Sequence, residues 1–244
     1  MDPVAFKIFG IEVMWYGVLI SIGVIIGTFL ALREARRVGV DENDFIDLLL
    51  FAIPAAVIGA RAYYVIFSWD YYKDNPIQIL NFRGGGLAIH GAIIAAAITA
   101  IIFTRIRGLD FWKIADIASP SLILGQSIGR WGNYINQEAY GIPTDLPWGI
   151  MVNGVKVHPT FLYESIGDFI VFLFLIWYRR NKAKESGEIF SLYLILYSLI
   201  RFFVEGLRTD SLMLGPVRVA QLVSIISIII GLTFLFARKR KKEI

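Results

Sequence analysis

Residues 14–37 read MWYGVLISIGVIIGTFLALREARR. The stretch opens on Trp15 and Tyr16, continues through apolar and small residues to Leu32, and ends in Arg33, Arg36 and Arg37. A helix rising about 1.5 Å per residue needs roughly twenty such positions to cross about 30 Å of hydrocarbon. Aromatic rings at one end and arginines at the other suit the two interfaces. Asp2, Lys7 and Glu12 precede the run and no small-residue cleavage site follows it, so it reads as a retained anchor, not a cleaved leader.

Six further stretches of this kind follow at 45–67, 87–103, 111–128, 161–178, 189–204 and 217–237. The expected fold class is therefore all-α: a polytopic membrane protein with seven transmembrane helices. At 57% hydrophobic and 18% charged over 244 residues, the chain is too apolar for a water-soluble globule. Seven spans leave little for a separate soluble domain, so one transmembrane domain over 1–244 is expected, with long outer loops at 68–86 and 129–160. The chain contains no cysteine and two histidines. It can build no disulfide or thiolate metal site, no metal or cofactor is expected, and a thiol taking part in its chemistry must come from a substrate.

The basic residues form clusters beside the apolar runs and no continuous face, which argues against a nucleic-acid partner and for topology signals. Arg33, Arg36 and Arg37; Arg105, Arg107 and Lys113; Arg179, Arg180, Lys182 and Lys184; and Arg238 to Lys242 make fifteen of the 24 lysines and arginines. All lie at alternate connections. The positive-inside rule places these in the cytoplasm, the N-terminus outside and the C-terminus inside. The tail from Arg238 to Lys242 is expected to meet anionic lipid at the inner surface.

Ionisable groups inside spans are costly, about 3 kcal/mol or more each, and mark function or buried ion pairs. They are Asp47, Arg61, His90, Asp116, Glu164, Asp168 and Arg201, with Glu205 just past a span end. His90, Glu164 and Arg201 share the outer half, whereas Asp47 and Asp116 lie near the inner surface and read as solvated or structural. Tyr197, Arg201, Glu205 and Arg208 are spaced by four, four and three, which puts them on one helical face. Arg208 adds a positive charge to the Arg201–Glu205 pair, and the stripe suits an anion.

The segment 129–141, GRWGNYINQEAYG, sets Arg130, Asn133, Asn136, Glu138 and Gly141 at a helix end. Arginine between glycines can grip a phosphate through two parallel hydrogen bonds. The stretch 83–86, Arg-Gly-Gly-Gly, reads as a linker or an anion-cradling nest. Gly23 with Gly27 and Gly125 with Gly129 have the spacing of helix-packing contacts. Residue chemistry alone therefore points to an outer-leaflet pocket lined by Arg130, Arg201 and His90. It leaves open a lipid enzyme, a lipid or organic-anion transporter, or a non-catalytic assembly factor. The absence of a convincing internal repeat weighs against the transporter.

At GRWGNYINQEAYG the chain resembles the bacterial prolipoprotein diacylglyceryl transferases. The resemblance extends to Trp15–Tyr16–Gly17, to His90–Gly91, to His158–Pro159 with Tyr163–Glu164, and to Tyr197, Arg201, Glu205 and Arg208. Two departures are Ala92, where the family often has a second glycine after the histidine, and Phe161, where it often has glutamine. The resemblance implies a multi-pass enzyme of the bacterial plasma (inner) membrane. Such an enzyme moves the diacylglyceryl group of phosphatidylglycerol to the lipobox cysteine thiol of a preprolipoprotein, leaving glycerol 1-phosphate. Its partners would be phosphatidylglycerol, other membrane lipid and the lipobox-bearing signal peptide, with no nucleic acid.

On that reading His90, Arg130 and Arg201 are catalytic: an imidazole near pKa 6.5 takes the proton of a thiol near 8.5, and the guanidiniums hold the phosphate. Asn133, Asn136 and Glu138 orient the headgroup or the loop, Tyr16, Gly141, Tyr197, Glu205 and Arg208 join the site by resemblance, and His158 is structural.

Overall fold

The structure is a computed structural model in which residues 2–82 and 85–240 are described. In chain order the helices are α1 Trp15–Arg37, α2 Glu42–Phe67, the single turn α3 Trp69–Tyr72, α4 Ile89–Arg107, α5 Phe111–Asn136, α6 Thr160–Asn181, α7 Glu188–Glu205 and α8 Val219–Arg240. Among the described residues, the seven long helices fall on the seven apolar stretches. Five of them, α1, α2, α4, α6 and α8, are long and apolar enough to cross a membrane. In α5 and α7 charged side chains dilute the apolar run, and these two helices carry the arginines of the candidate site.

Two expectations need correction. The all-α class omits three short antiparallel hairpins: β1 Val4–Ile8 with β2 Ile11–Met14, β3 Ile150–Val152 with β4 Val155–Val157, and β5 Met213–Leu214 with β6 Val217–Arg218. Strands of two to five residues carry no readable period; their signal lies in the turns, where Phe9–Gly10 and Asn153–Gly154 both take positive φ. The outer loop expected from Gly129 also begins later. Helix α5 continues to Asn136, because backbone hydrogen bonding persists after the apolar run has ended.

The chain divides into two compact units, Met1–Ala31 with Ala115–Ile244, and Leu32–Ile114. In the first unit α1 meets α5 through small residues. A Cβ built on Gly23 would lie 3.3 Å from the Cα of Gly125, and one on Gly27 3.3 Å from the Cβ of Ser121. Gly129, expected to pack likewise, has open space around it. Helices α5 and α6 are joined reciprocally: Ser127 Oγ donates to the Ser165 carbonyl at 2.8 Å and Ser165 Oγ to the Ser127 carbonyl at 2.9 Å. Ile123, Val171, Leu175, Ile189 and Tyr193 form the apolar core between α5, α6 and α7. Asp116 accepts the backbone N–H groups of Gly187 at 2.6 Å and Phe190 at 2.8 Å. It caps α7 from α5 and is structural, one of the two roles its depth allowed.

In the second unit Asp41 caps α2 and left-handed Gly108 ends α4. Arg107 pairs with Asp47 at 2.7 Å and Asp44 at 3.3 Å, the structural one of the two roles expected of Asp47. The two helices touch backbone to backbone: a Cβ on Gly91 would stand 2.2 Å from the Gly59 carbonyl oxygen. Arg61 is buried and donates Nε to the Ile79 carbonyl at 2.9 Å, Nη1 to those of Gly85 and Gly86 at 2.8 and 3.0 Å, and Nη2 to that of Gln78 at 2.5 Å. The carbonyls of Gly85 and Gly86 therefore receive a cation, contrary to an anion nest. Arg83 and Gly84 of that stretch, and Lys241 and Lys242 of the basic tail, lie outside the described residues.

Gly91→Ala is expected to destabilise the protein by about 1–3 kcal/mol, because backbone is what its methyl group would strike. Gly129→Ala should leave stability unchanged. Thermal unfolding in detergent checks both.

Candidate active site

Arg130 occupies the last two turns of α5, Glu164 the second turn of α6, and Arg201 the last turn and a half of α7. The Glu164 carboxylate is 3% exposed and stands between the two guanidiniums: Arg130 Nε is 2.6 Å from its Oε2, and Arg201 Nη1 is 2.5 Å from its Oε1. Arg201 turns Nη2 to Glu205 Oε2 at 2.5 Å, one helical turn along α7. One carboxylate thus fixes the spacing of two cations from different helices.

A guanidinium has five N–H donors. Among the described residues, neither Nη of Arg130 donates a hydrogen bond to the protein; only its Nε lies against Glu164. The side chain keeps about a fifth of its surface accessible, so its outer edge can take two oxygens of a tetrahedral anion side by side. Asp168, one turn beyond Glu164 on α6, is fully buried with no hydrogen-bond partner for either oxygen among the described residues. Arg130 and Arg201 act on it electrostatically.

Tyr16 is brought into the same cluster. A Cβ on Gly132 would lie 2.3 Å from Tyr16 Cδ2, so glycine there lets the ring settle on α5 two residues past Arg130. Tyr197 stacks on Tyr193, with centroids 5.9 Å apart and planes at 19°. Both Tyr16 and Tyr197 act on the charge of Arg130. Asn133 donates to Glu138 Oε1 at 2.9 Å and Asn136 to the same oxygen at 3.4 Å, so these three form one cap where α5 ends.

Gly141 meets the need for close approach. Its N–H donates to the His158 carbonyl at 3.0 Å, it pairs with Arg208 on its other side, and a Cβ would meet His158 Cβ at 2.6 Å. His158 Nδ1 lies 3.2 Å from the Tyr163 hydroxyl, which accepts Trp148 Nε1 at 2.9 Å, in keeping with a structural role.

Two sequence readings shift. Arg208 is no surplus positive charge, since Nε and Nη2 donate to Asp210 at 2.9 and 2.7 Å. Those bonds hold the Asp210 carboxyl below its ordinary pKa. Glu164, read from the sequence as an intramembrane carboxylate and as part of the family resemblance, is the hub of the cluster; its depth in span five was visible in the sequence, its partners on two other helices were not. His90 belongs to the other unit, exposed on the first turn of α4 with its ring 5.9 Å from that of Tyr63.

The site of this helical membrane protein thus sets two guanidiniums, from α5 and α7, on one buried carboxylate of α6. The family model for prolipoprotein diacylglyceryl transferase matches residues 3–237, and the chain belongs to that family. Among its relatives, a protein of Finegoldia magna is 57% identical over 244 residues, covering 100% of this chain and 98% of its own. One of Clostridioides difficile is 54% identical over 244 residues, with the same coverage. One of Bacillus mycoides is 50% identical over 252 residues, covering 98% of this chain and 93% of its own. All three are named phosphatidylglycerol–prolipoprotein diacylglyceryl transferase.

Glu164→Gln leaves two guanidiniums without their shared charge and is expected to lower stability by about 3–5 kcal/mol. Asp210→Asn breaks a half-exposed pair and should change it by less than about 1 kcal/mol. Denaturant unfolding in detergent separates the two.

Proposed function

We infer that this protein transfers the diacylglyceryl group of phosphatidylglycerol to the lipobox cysteine thiol of a preprolipoprotein, forming a thioether and releasing glycerol 1-phosphate. The observation that carries the reading is the Glu164 bridge between Arg130 and Arg201, which leaves the outer edge of Arg130 free for a phosphate. The family and its relatives' names supply the two substrates.

All seven long helices cross the bacterial plasma membrane, with the N-terminus outside and the C-terminus in the cytoplasm. Alternation then sets the three hairpins and the segment 68–86 on the outer side. The fifteen clustered lysines and arginines fall on the inner side, as the positive-inside rule requires.

The chemistry is displacement at carbon. The acceptor sulfur attacks the glycerol carbon, a C–S bond forms, and the C–O bond breaks with its electron pair going to the phosphate oxygen. His90 takes the thiol proton, which a neutral imidazole can do at moderate cost. Arg130 and Arg201 neutralise the charge that grows on the departing phosphate, where fixed donors in a dry site weigh most. Tyr16, Tyr197, Asn133, Asn136 and Glu138 bound the headgroup, Glu205 positions Arg201, and Gly141 and Arg208 hold the outer segment beside it.

Purified protein given phosphatidylglycerol labelled at phosphorus and a synthetic lipobox peptide should add the mass of a diacylglyceryl group to the peptide. All of the label should leave as glycerol phosphate. Label on the peptide, or an unchanged peptide mass, would refute the reaction. Arg130→Ala is expected to lower turnover by about 10²–10³-fold and His90→Gln by about 10²-fold or more.

A further inference from the structure

Beyond the end of α5 the chain builds a small layered sheet with one side left open. Residues 140–144 pair on one side with 207–209, through Ile142 N–H to the Leu207 carbonyl at 2.8 Å and the Gly141–Arg208 bridge. On the other side they pair with β4, through Thr144 N–H to the Lys156 carbonyl at 2.9 Å and His158 N–H to the Ile142 carbonyl at 3.1 Å. β4 in turn pairs with β3, and β3 is the last strand.

The turn between them is Asn153–Gly154, with φ of 48° and 79°, a two-residue hairpin turn. In such a hairpin the flanking residues, Val152 and Val155, exchange both hydrogen bonds, and the pattern alternates from there. Ile150 and Val152 therefore point their backbone groups at β4, and Met151 points its N–H and C=O outward. Among the described residues nothing bonds to them.

That open edge is not bare surface. All three residues of β3 border a cavity of about 240 Å³ whose other walls include Asn133, Glu138 and Phe161. Asn133 is one turn along α5 from Arg130, and Thr160, also in the wall, is one turn before Glu164 on α6. The cavity thus lies one turn from Arg130 on α5 and one turn from Glu164 on α6, about 5 Å along each helix. An unpaired strand edge recognises extended polypeptide by main-chain hydrogen bonds, with flanking pockets for alternate side chains.

We propose that the outer edge of β3 binds the acceptor polypeptide as an added strand. An extended segment just after the acceptor cysteine pairs with Met151, and a side chain of it enters the cavity beside Asn133 and Glu138. The proposal rests on the transferase reading given above, which supplies a polypeptide acceptor and sets this edge on the outer side. Because the edge reads main chain, the residues after the cysteine can vary with little effect on binding.

Met151→Pro removes the outward N–H and leaves the ladder to β4 intact, whereas Met151→Ala removes the side chain and keeps the N–H. With a lipobox peptide as acceptor, Met151→Pro should raise the KM for peptide about tenfold, the worth of one or two backbone hydrogen bonds. Neither kcat nor the KM for phosphatidylglycerol should move, and Met151→Ala should stay near the parent protein. Independently, N-methylating each backbone amide after the cysteine in turn, with the unaltered enzyme, should raise the peptide KM at alternate positions only.

A flat N-methyl scan overturns the proposal even where the proline variant does not fold. So does a change confined to the KM for phosphatidylglycerol, which would make the cavity a lipid site, or a changed oligomeric mass with peptide KM unaltered, which would make the edge a contact between copies. Absence of any transfer by the unaltered enzyme would instead refute the reaction itself.

Discussion

The carboxylate of Glu164 is the constraint on which the first unit depends. Taking a charged group out of water costs several kcal/mol, and three such groups gather here: Glu164, Arg130 and Arg201. Each bears on the others only if α5, α6 and α7 keep their rotation and height to a fraction of an ångström. The Ser127–Ser165 exchange fixes the α5–α6 height, and Gly167 lets α6 settle on Ile200 of α7, where a Cβ would lie 3.0 Å from Cδ1. The ion pair adds little net stability against a hydrophobic replacement, but it punishes any other arrangement of the three helices. One anion thereby fixes where two guanidiniums of different helices stand.

Arg61 and Arg130 show why composition could not separate structure from function. Both are arginines within apolar stretches, and hydropathy ranks them alike. Arg61 spends its donors on four backbone carbonyls and rests against the rings of Tyr72 and Phe82, 5.1 and 5.8 Å from their centroids. It is a clamp on the segment after α2, with four of its five N–H groups held by that segment's carbonyls. Arg130 sets its Nε 2.6 Å from one carboxylate as an ion pair and, among the described residues, donates neither Nη to the protein. The difference lies in partners brought from elsewhere in the chain, which no local pattern encodes.

What the sequence did encode is periodicity and cost. The seven long helices were legible because hydrocarbon demands long apolar runs, and the polar stripe of α7 because spacings of four and three force one face. Depth left Asp47 and Asp116 as solvated or structural, and only their partners on other elements decide for structure. Illegible were features decided by only a few residues. Helix α5 outran its apolar stretch because hydrogen bonding, not hydropathy, ends a helix. Arg208 met Asp210 two residues away in a turn whose shape the sequence did not reveal. The hairpins are too short for an alternating pattern to emerge, so their turns, such as Asn153–Gly154, were the only trace.

The hairpins also follow from the solvent in which the helices sit. In hydrocarbon every backbone N–H and C=O must be satisfied within the segment, so a strand edge left open there would cost several kcal/mol per group. Beyond the helix ends water can satisfy an open edge at little cost and can be displaced from it by another main chain. A membrane enzyme that must meet a polypeptide can therefore offer backbone recognition only past its helix ends. β3 lies there, within one helical turn of the residues that lead to Arg130 and Glu164. A strand added at Met151 would emerge one helical turn from Arg130 and Glu164, so main-chain pairing of the acceptor and binding of the donor lipid's phosphate would act side by side without either intruding on the other.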